Sequence, residues 1–280
     1  ILSILTITGT ECIVGIIANG FIMAINAAEW IKNKTVSTSG RVLFFLSASR
    51  IALQSFTMLE ITFSSTSPRF YNEDVMYDTF KVSFMFLNHC SLWFAAWLSF
   101  FYFVKIADFS HPLFLKLKWR ISRLMPWLLW LSVLISLGYS MLLSNDIYTV
   151  KYPGNMTFQQ WSRRLEIHYF LPLKFITLSV PCSVFLVSIA LLINSLRRHR
   201  GRMRRSGHGL QDPSSQAHTR ALKSLVSFLI LYALSFASLV IDAAGFFCSQ
   251  SDWYWPWQIL IYLCTSVHPY ILILSNLRLR

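Results

Sequence analysis

Residues 173–193 read LKFITLSVPCSVFLVSIALLI, and residues 196–205, which follow almost immediately, read LRRHRGRMRR. The first stretch is apolar and long enough to cross the ~30 Å hydrocarbon core of a bilayer as an α-helix. The second stretch holds six arginines in nine positions, the densest charge in the chain. An arginine run of this kind fits a nucleic-acid contact, attraction to an acidic membrane, or the cytoplasmic end of a membrane span. The rest of the sequence distinguishes these three possibilities.

The composition of the whole chain indicates a membrane protein. Of the 280 residues, 55% are hydrophobic and only 13% are charged, whereas a soluble domain carries about 25% charged residues. So few charges cannot cover a water-facing surface, but apolar side chains suit a lipid-facing one. The formal net charge of +13 is therefore expected to lie in the loops between membrane spans.

Seven stretches of the sequence are suited to crossing a bilayer, which takes about 20 mostly apolar residues per helix. The loops between them are mostly short and polar, and no internal repeat or separate soluble domain is visible. The first stretch is interpreted as a span rather than a cleavable signal, because it is long and lacks a small-residue cleavage site. The sequence therefore predicts an all-α, single-domain bundle of seven transmembrane helices, with spans at about 1–28, 42–63, 80–104, 124–143, 169–196, 221–248 and 255–275.

The distribution of basic residues predicts the orientation of the bundle. The segments 29–41, 105–123, 197–223 and the C-terminus share one side and carry 18 Lys and Arg residues, against 5 on the other side. With acidic residues included, the net charges of the two sides are +15 and −1. By the positive-inside rule the basic side is cytoplasmic, so the N-terminus lies outside and the C-terminus inside. The arginine run then belongs to the third inner loop, where it attracts anionic membrane lipid, and nucleic acid is not expected as a partner.

A glycosylation acceptor gives an independent indication of sidedness. The sequence NMT at Asn155 lies in the second outer loop, whereas NKT at Asn33 lies in the first inner loop. Because such an acceptor is usable on the outer side, only Asn155 is expected to carry sugar.

No pattern in the sequence indicates an enzyme. The histidines lack metal-ligand spacing, and no phosphate-binding loop, nucleophile elbow or clustered carboxylate pair is present. His89, beside Cys90, is interpreted as a hydrogen-bonded packing residue. No pair of cysteines converges on the outer side, so no structural disulfide is expected. We therefore expect no catalytic residue, metal site or cofactor.

Arg50 is the most informative charge inside a span, because charges there are costly and mark structural or functional sites. It lies about nine residues into the second span and must face the bundle. Its candidate partners at similar depth are Asn19 and the segment around His268 and Pro269. We interpret these residues as the centre of a polar network that sets helix packing. The sequence leaves open whether the network also switches on activation.

A second set of polar residues lies near the outer ends of the predicted helices. Glu60, Lys174 and Asp242 are one to two turns from those ends, and Asn88 is slightly deeper. These residues could rim an apolar pocket with a few orienting polar groups, as small-molecule sites generally have, together with Phe84, Met85, Ser238 and Gln258. The alternative is that Lys174 extends to the membrane interface and the others cap helix ends.

Six stretches in chain order carry a further pattern: GIIANGFI (15–22), LSASR (46–50), FYFVKIADFSHPLFLKLKWRI (101–121), LLINSLRRHRGRM (191–203), DPSSQAHTRALKSLVSFLILY (212–232) and HPYILILSNLRLR (268–280). Together they resemble the bitter taste receptors, the type 2 taste receptor family. The resemblance covers all the predicted spans in order. The blocks FYFVKIADFSHP and SLRRHRGRM are specific to that family.

The resemblance implies a G-protein-coupled receptor of the plasma membrane that senses bitter small molecules and activates gustducin-type G proteins. In the family the ligand pocket lies between helices 2, 3, 5, 6 and 7, which implies that the ligand contacts are Glu60, Ser65, Phe84, Asn88, Lys174, Thr177, Ser238, Asp242, Gln258 and Ile261. The positions that match the G-protein side are Tyr102, Lys105, His199, Met203 and Lys223.

Two positions depart from the common pattern of the family. Phe84 stands where many members have Trp, and Ser235 stands where many have Tyr. The resemblance therefore does not define the range of ligands. A membrane transporter or channel is the alternative function, although such proteins usually have paired repeats and helices broken near the membrane centre.

Overall fold

The computed structural model of the chain describes residues 2–34, 37–67, 74–107, 111–151, 168–169, 171–205, 213–243 and 254–275. The regular secondary structure of these ranges is helical and forms seven long helices. They are α1 (Leu2–Asn33), α2 (Thr38–Thr66), α3 (Asp74–Ile106), α4 (Pro112–Lys151), α5 (Leu171–Arg205), α6 (Pro213–Ala243) and α7 (Tyr254–Ser275).

The helices are long and apolar enough for a membrane bundle. Among the described residues, five segments qualify by length and composition as spans: Thr6–Lys32, Thr38–Phe63, Asp78–Ile106, Pro112–Met141 and Pro172–Arg198. Helix α6 contributes a shorter apolar segment, Leu225–Ser238. The predicted all-α bundle of membrane helices is therefore confirmed, while the orientation of its termini stays a prediction.

The clearest difference from the predicted spans is the start of α4. The sequence predicts a span from about residue 124, but the helix begins at Pro112. Proline suits the first turn of a helix because the main-chain N–H that it lacks would have no partner there. Lys118 Nζ donates to the carbonyl of Ala107 at 3.3 Å, which ties this first segment to the end of α3. Hydropathy does not detect the segment because it is rich in basic residues, which are nevertheless good helix formers.

Six of the helices form a closed ring, and the remaining one packs outside it. In the ring, α1 packs on α2, α2 on α3, α3 on α5, α5 on α6, α6 on α7, and α7 returns to α1. Helix α4 packs mainly on α3 and only slightly on α2. In their most apolar segments, α3 is 61% buried and α4 only 28% buried. Helix α3 is therefore the central element of the bundle.

Hydrogen bonds between side chains and main chain close the ring at α1 and α7. Ser266 Oγ donates to the Glu11 carbonyl at 3.1 Å, and Tyr270 Oη donates to the Val14 carbonyl at 2.9 Å. On the neighbouring surface of α1, Gly15 leaves room for the amide of Gln54, which a Cβ atom there would overlap. Gln54 Nε2 in turn donates to Ser266 Oγ at 3.2 Å. One glycine thus allows α1, α2 and α7 to meet closely.

Candidate functional site

Arg50 lies at the centre of the bundle and joins α2 to α3 and α7. Its Nε donates to Ser91 Oγ at 3.2 Å, and one terminal guanidinium nitrogen lies 2.7 Å from His268 Nδ1. All three side chains are buried. Because arginine has only donors, Nδ1 of His268 must accept this bond, so the proton of the neutral ring is on Nε2. The cost of burying the guanidinium is offset by partners on two other helices.

Helix α6 contacts this centre through aromatic rings. Phe228 stacks on the His268 ring with centroids 4.5 Å apart. One turn further along α6, Tyr232 stacks on Phe185 of α5 with centroids 3.7 Å apart, and its hydroxyl donates to the Leu92 carbonyl of α3 at 3.1 Å. We name Arg50, Ser91, Phe228, Tyr232 and His268 the arginine cluster. Its members lie on α2, α3, α6 and α7, and the stack of Tyr232 on Phe185 joins α5 to them.

A small cavity borders the arginine cluster. Its volume of about 20 Å³ is enough for roughly one water molecule. The wall is formed by α2, α3, α6 and α7 and comprises Arg50, Asn88, Ser91, Leu92, Leu231, Tyr232, Ser235 and His268. This mixture of donors, acceptors and apolar groups suits a polar occupant. The cavity also contains Ser235, the position where many family members have Tyr.

A second buried centre lies around His89, one turn before Trp93 on α3. Nε2 of His89 lies 3.3 Å from the Thr177 carbonyl of α5, and Nδ1 lies 2.9 Å from Ser136 Oγ of α4. A carbonyl only accepts, so Nε2 carries the proton, and in the neutral ring Nδ1 accepts from the serine hydroxyl. The ring also stacks on Tyr139 at 4.4 Å. We name His89, Ser136, Tyr139 and Thr177 the histidine cluster, which joins α3, α4 and α5.

The predicted members of the central polar network have different surroundings. His268 contacts Arg50 directly, and Pro269 beside it is buried. Asn19 is also buried, but its amide donates to the Gly15 carbonyl of its own helix at 2.9 Å. The second hydrogen-bond partner of Arg50 is instead Ser91, which lies on the neighbouring helix α3.

The predicted ligand contacts are only partly brought together. Asn88 lines the small cavity. Thr177 Oγ1 donates to Leu173 O at 2.7 Å, and its carbonyl accepts from His89. Ser65 and Ser238 donate to carbonyls of their own helices, and Ser238 is buried. The remaining described members have partly buried side chains, namely Glu60, Phe84 and Lys174. The side chains of Asp242, Gln258 and Ile261 lie outside the described part of the structure.

Two of the predicted G-protein positions are described. Tyr102 is partly buried, and its ring contacts Phe101 with centroids 6.2 Å apart. Lys105 is exposed, and its Nζ lies 3.5 Å from the Lys118 carbonyl and 5.9 Å from the centre of the Phe101 ring. The side chains of His199, Met203 and Lys223 lie outside the described residues, as does the glycosylation acceptor Asn155.

Sequence reasoning missed the role of serines on α4. Ser132, Ser136 and Ser140 are buried at four-residue intervals, so they share one helix face. Trp97 Nε1 donates to Ser132 Oγ at 2.7 Å, in addition to the contact of Ser136 with His89. Small polar residues at this spacing typically mark helix contacts in membranes. This spacing is the signal from which the contact between α3 and α4 could have been predicted.

Comparison with known proteins identifies relatives along the whole chain. The family described as Taste receptor protein (TAS2R) matches residues 1–280. Taste receptor type 2 member 41 of Rattus norvegicus is 49% identical over 276 residues, which cover 96% of this chain and 90% of that receptor. Taste receptor type 2 member 39 of Homo sapiens is 51% identical over 287 residues, which cover 99% of this chain and 84% of that receptor. These relatives are receptors and not enzymes. The chain therefore belongs to the type 2 taste receptor family.

Proposed function

We propose that this chain is a G-protein-coupled receptor of the plasma membrane that binds bitter small molecules between its outer helix ends and activates a gustducin-type Gα subunit. Family membership supports this proposal, as does the bundle of long apolar helices. The observation that carries it is that Asn88, a predicted ligand contact, lines the same cavity as Arg50 and His268. An agonist at Asn88 would therefore act directly on the centre where the helices meet.

The path from agonist to arginine cluster is short. Asn88 and Ser91 are three residues apart on α3 and so lie on one helix face. Ser91 Oγ accepts from Arg50 Nε. A polar group of the agonist that enters the cavity would compete for the same donors and acceptors. It would thereby change the relative stability of two arrangements of α2, α3 and α7.

Helix α6 is the element that we propose moves. Among the described residues, Tyr232 and Phe228 of α6 join it to its neighbours through the Tyr232–Leu92 hydrogen bond and two ring stacks. Stacked rings keep most of their contact area when they slide, so among these contacts the Tyr232–Leu92 hydrogen bond is the one that a displacement of α6 would break. The displacement would open an inner site for the C-terminal helix of Gα. The positions proposed to line that site are Tyr102, Lys105, His199, Met203 and Lys223.

The basic inner surface would assist the encounter with the G protein. Lys105 and Lys118 hold the end of α3 against the start of α4. The arginine run at the end of α5 would attract acidic groups on Gα or anionic lipid by long-range electrostatics. An agonist shifts the equilibrium only by its preference for the active state. Moving the ratio from 1:99 to 99:1 takes about 5.5 kcal/mol.

Calcium signalling tests the proposal in cells that contain this chain and a gustducin-tailed Gα, with surface staining scored in the same cells. A panel of chemically diverse bitter compounds should give at least one dose-dependent response. Asn88→Ala and Phe84→Ala should then shift the half-maximal agonist concentration while surface staining stays normal. Matched controls are Asn26→Ala, a buried α1 amide that donates to Ile22 O, and Phe21→Ala, an exposed α1 ring.

The outcomes separate the parts of the proposal. Equal potency shifts in the controls would show a general packing effect and contradict the pocket. An agonist response that neither Asn88→Ala nor Phe84→Ala alters would place the pocket elsewhere. Compound uptake or ion current without G-protein activation would contradict receptor function and support the transporter or channel alternative.

A further inference from the structure

An apolar groove lies between α2 and α4, on the membrane side of α3. It is far larger than the cavity beside Arg50, with a volume of about 260 Å³. Helices α2 and α4 both pack on α3 but scarcely on each other, which leaves the groove between them. Its lining comprises Thr38, Arg41, Val42, Phe45, Phe94, Met125, Pro126, Leu129, Trp130 and Val133.

The groove has a buried floor and exposed walls. Val42, Phe94 and Met125 form the floor and are almost fully buried. Phe45 and Trp130 form the walls and are 48% and 69% exposed. The segments that line it, 38–45 on α2 and 125–133 on α4, run along the helices for ~10–12 Å at 1.5 Å per residue. The groove is therefore an elongated apolar depression that opens sideways towards lipid.

One end of the groove is basic. Arg41 and Thr38 lie in the first turns of α2, at the inner end according to the distribution of charge along the chain. Arg41 is exposed and forms no ion pair within the ranges that the structure describes. A guanidinium group at the mouth of a hydrocarbon-like groove is complementary to an amphiphile with an anionic headgroup.

We propose that this groove binds one acyl chain of an anionic phospholipid from the cytoplasmic leaflet, with the headgroup phosphate on Arg41. The planar guanidinium can donate two parallel hydrogen bonds to phosphate oxygens, and the Thr38 hydroxyl can supply a third. A sterol would fill the apolar part but would leave Arg41 without an anion. A neutral phospholipid has the phosphate but also a cationic group that opposes Arg41. The site is separate from the agonist pocket and the Gα surface, so it does not depend on the proposed function.

Native mass spectrometry of the purified full chain tests this site directly. The protein is incubated with equal concentrations of phosphatidylserine and phosphatidylcholine, and the lipids retained after detergent removal are counted. One phosphatidylserine should be retained in preference. Arg41→Gln should lower this retention at least threefold without changing that of phosphatidylcholine. Arg123→Gln, which removes an exposed arginine of α4 outside the groove, is the matched control and should leave retention unchanged.

A second variant tests the apolar part of the site. Val133→Trp fills the groove and should abolish the preferential retention of phosphatidylserine. Leu134→Trp places the same side chain at the next position, which is 64% exposed and outside the groove, and should have no effect. An equal loss of phosphatidylserine retention in Arg41→Gln and Arg123→Gln would indicate that the overall positive charge, and not Arg41, attracts the lipid. That result would overturn the proposal. Displacement of phosphatidylserine by cholesterol, with no effect of Arg41→Gln, would also overturn it by assigning the groove to a sterol.

Discussion

Two buried histidines among the described residues, His89 and His268, contact neighbouring helices in different ways. His89 uses both ring nitrogens for neutral hydrogen bonds, to Ser136 of α4 and to the Thr177 carbonyl of α5. His268 uses Nδ1 for Arg50 and its ring face for Phe228. The histidine cluster therefore depends on directional bonds between uncharged groups. The arginine cluster combines one charged donor with stacked rings and a small cavity.

This difference predicts different roles for the two centres. A hydrogen bond to a main-chain carbonyl fixes the position of a helix, because movement breaks the bond in a medium that offers no replacement. In the arginine cluster one such bond, from Tyr232 to the Leu92 carbonyl, holds α6, and the other contacts of Phe228 and Tyr232 described above are ring stacks, which keep most of their contact area when the rings slide. We therefore infer that the histidine cluster keeps α3, α4 and α5 in fixed register, while the arginine cluster has more than one arrangement. The following substitutions test that contrast.

The largest effect is expected from Arg50→Leu. This change leaves Ser91 without its donor and the Nδ1 of His268 unpaired in the bundle centre. Losing hydrogen bonds to a charged group should lower the free energy of unfolding by about 2–3 kcal/mol. Thermal unfolding of the purified receptor measures this effect, and surface staining should fall with it. Wild-type stability in Arg50→Leu would show that the arginine cluster does not hold the helices together.

His89→Phe should have an intermediate effect on stability. The substituted ring can still stack on Tyr139, but both hydrogen bonds are lost, at a cost of about 1–2 kcal/mol. If the histidine cluster is static, signalling without agonist should stay at the wild-type level per receptor at the surface. Basal signalling well above that level would contradict the proposed difference between the two clusters, because it would show that the histidine cluster also changes its arrangement on activation.

Tyr232→Phe should have the smallest effect on stability and the clearest effect on signalling. It removes the hydroxyl that donates to Leu92 O but keeps the stack on Phe185, which should cost about 0.5–1 kcal/mol. If that loss falls mainly on the inactive state, basal signalling should rise about two- to fivefold. The matched control is Tyr270→Phe, which removes a hydroxyl that donates to Val14 O between α7 and α1. Equal activation by both substitutions would contradict a specific role of α6.

The sequence predicted most of the fold because the membrane leaves few alternatives. A long apolar stretch must be a helix, since each main-chain polar group needs a partner inside the same segment. The depth and inward direction of Arg50 follow from the same argument. The hydrogen bond from Arg50 to Ser91 could not be predicted, because a single serine among the apolar residues of α3 has no distinctive spacing. The start of α4 was missed because four basic residues lie among the apolar residues of its first turns.

The candidate site could be predicted less completely than the fold. Family resemblance supplied residues near the outer helix ends, but local hydrogen bonds decide where those side chains point. Ser65 and Thr177 each donate to a carbonyl of their own helix, a partner that every serine or threonine in a helix has available. His89 was expected to be a packing residue, and the structure gives it that role. Its particular partners depend on how α4 and α5 pack on α3, which no local pattern encodes.

The bonds that close the helical ring also constrain the order of assembly. Ser266 and Glu11 are 255 positions apart in the chain, and Tyr270 and Val14 are 256 apart. Contacts between α3 and α4 require only the short connection between consecutive helices. In a chain that is synthesised from its N-terminus, α3 and α4 can pair early, whereas the surface of α1 around Gly15 stays without its final partner until α7 has entered the membrane. Closure of the ring therefore waits for α7, and chains that stop before α7 keep an open seam between α1 and α6.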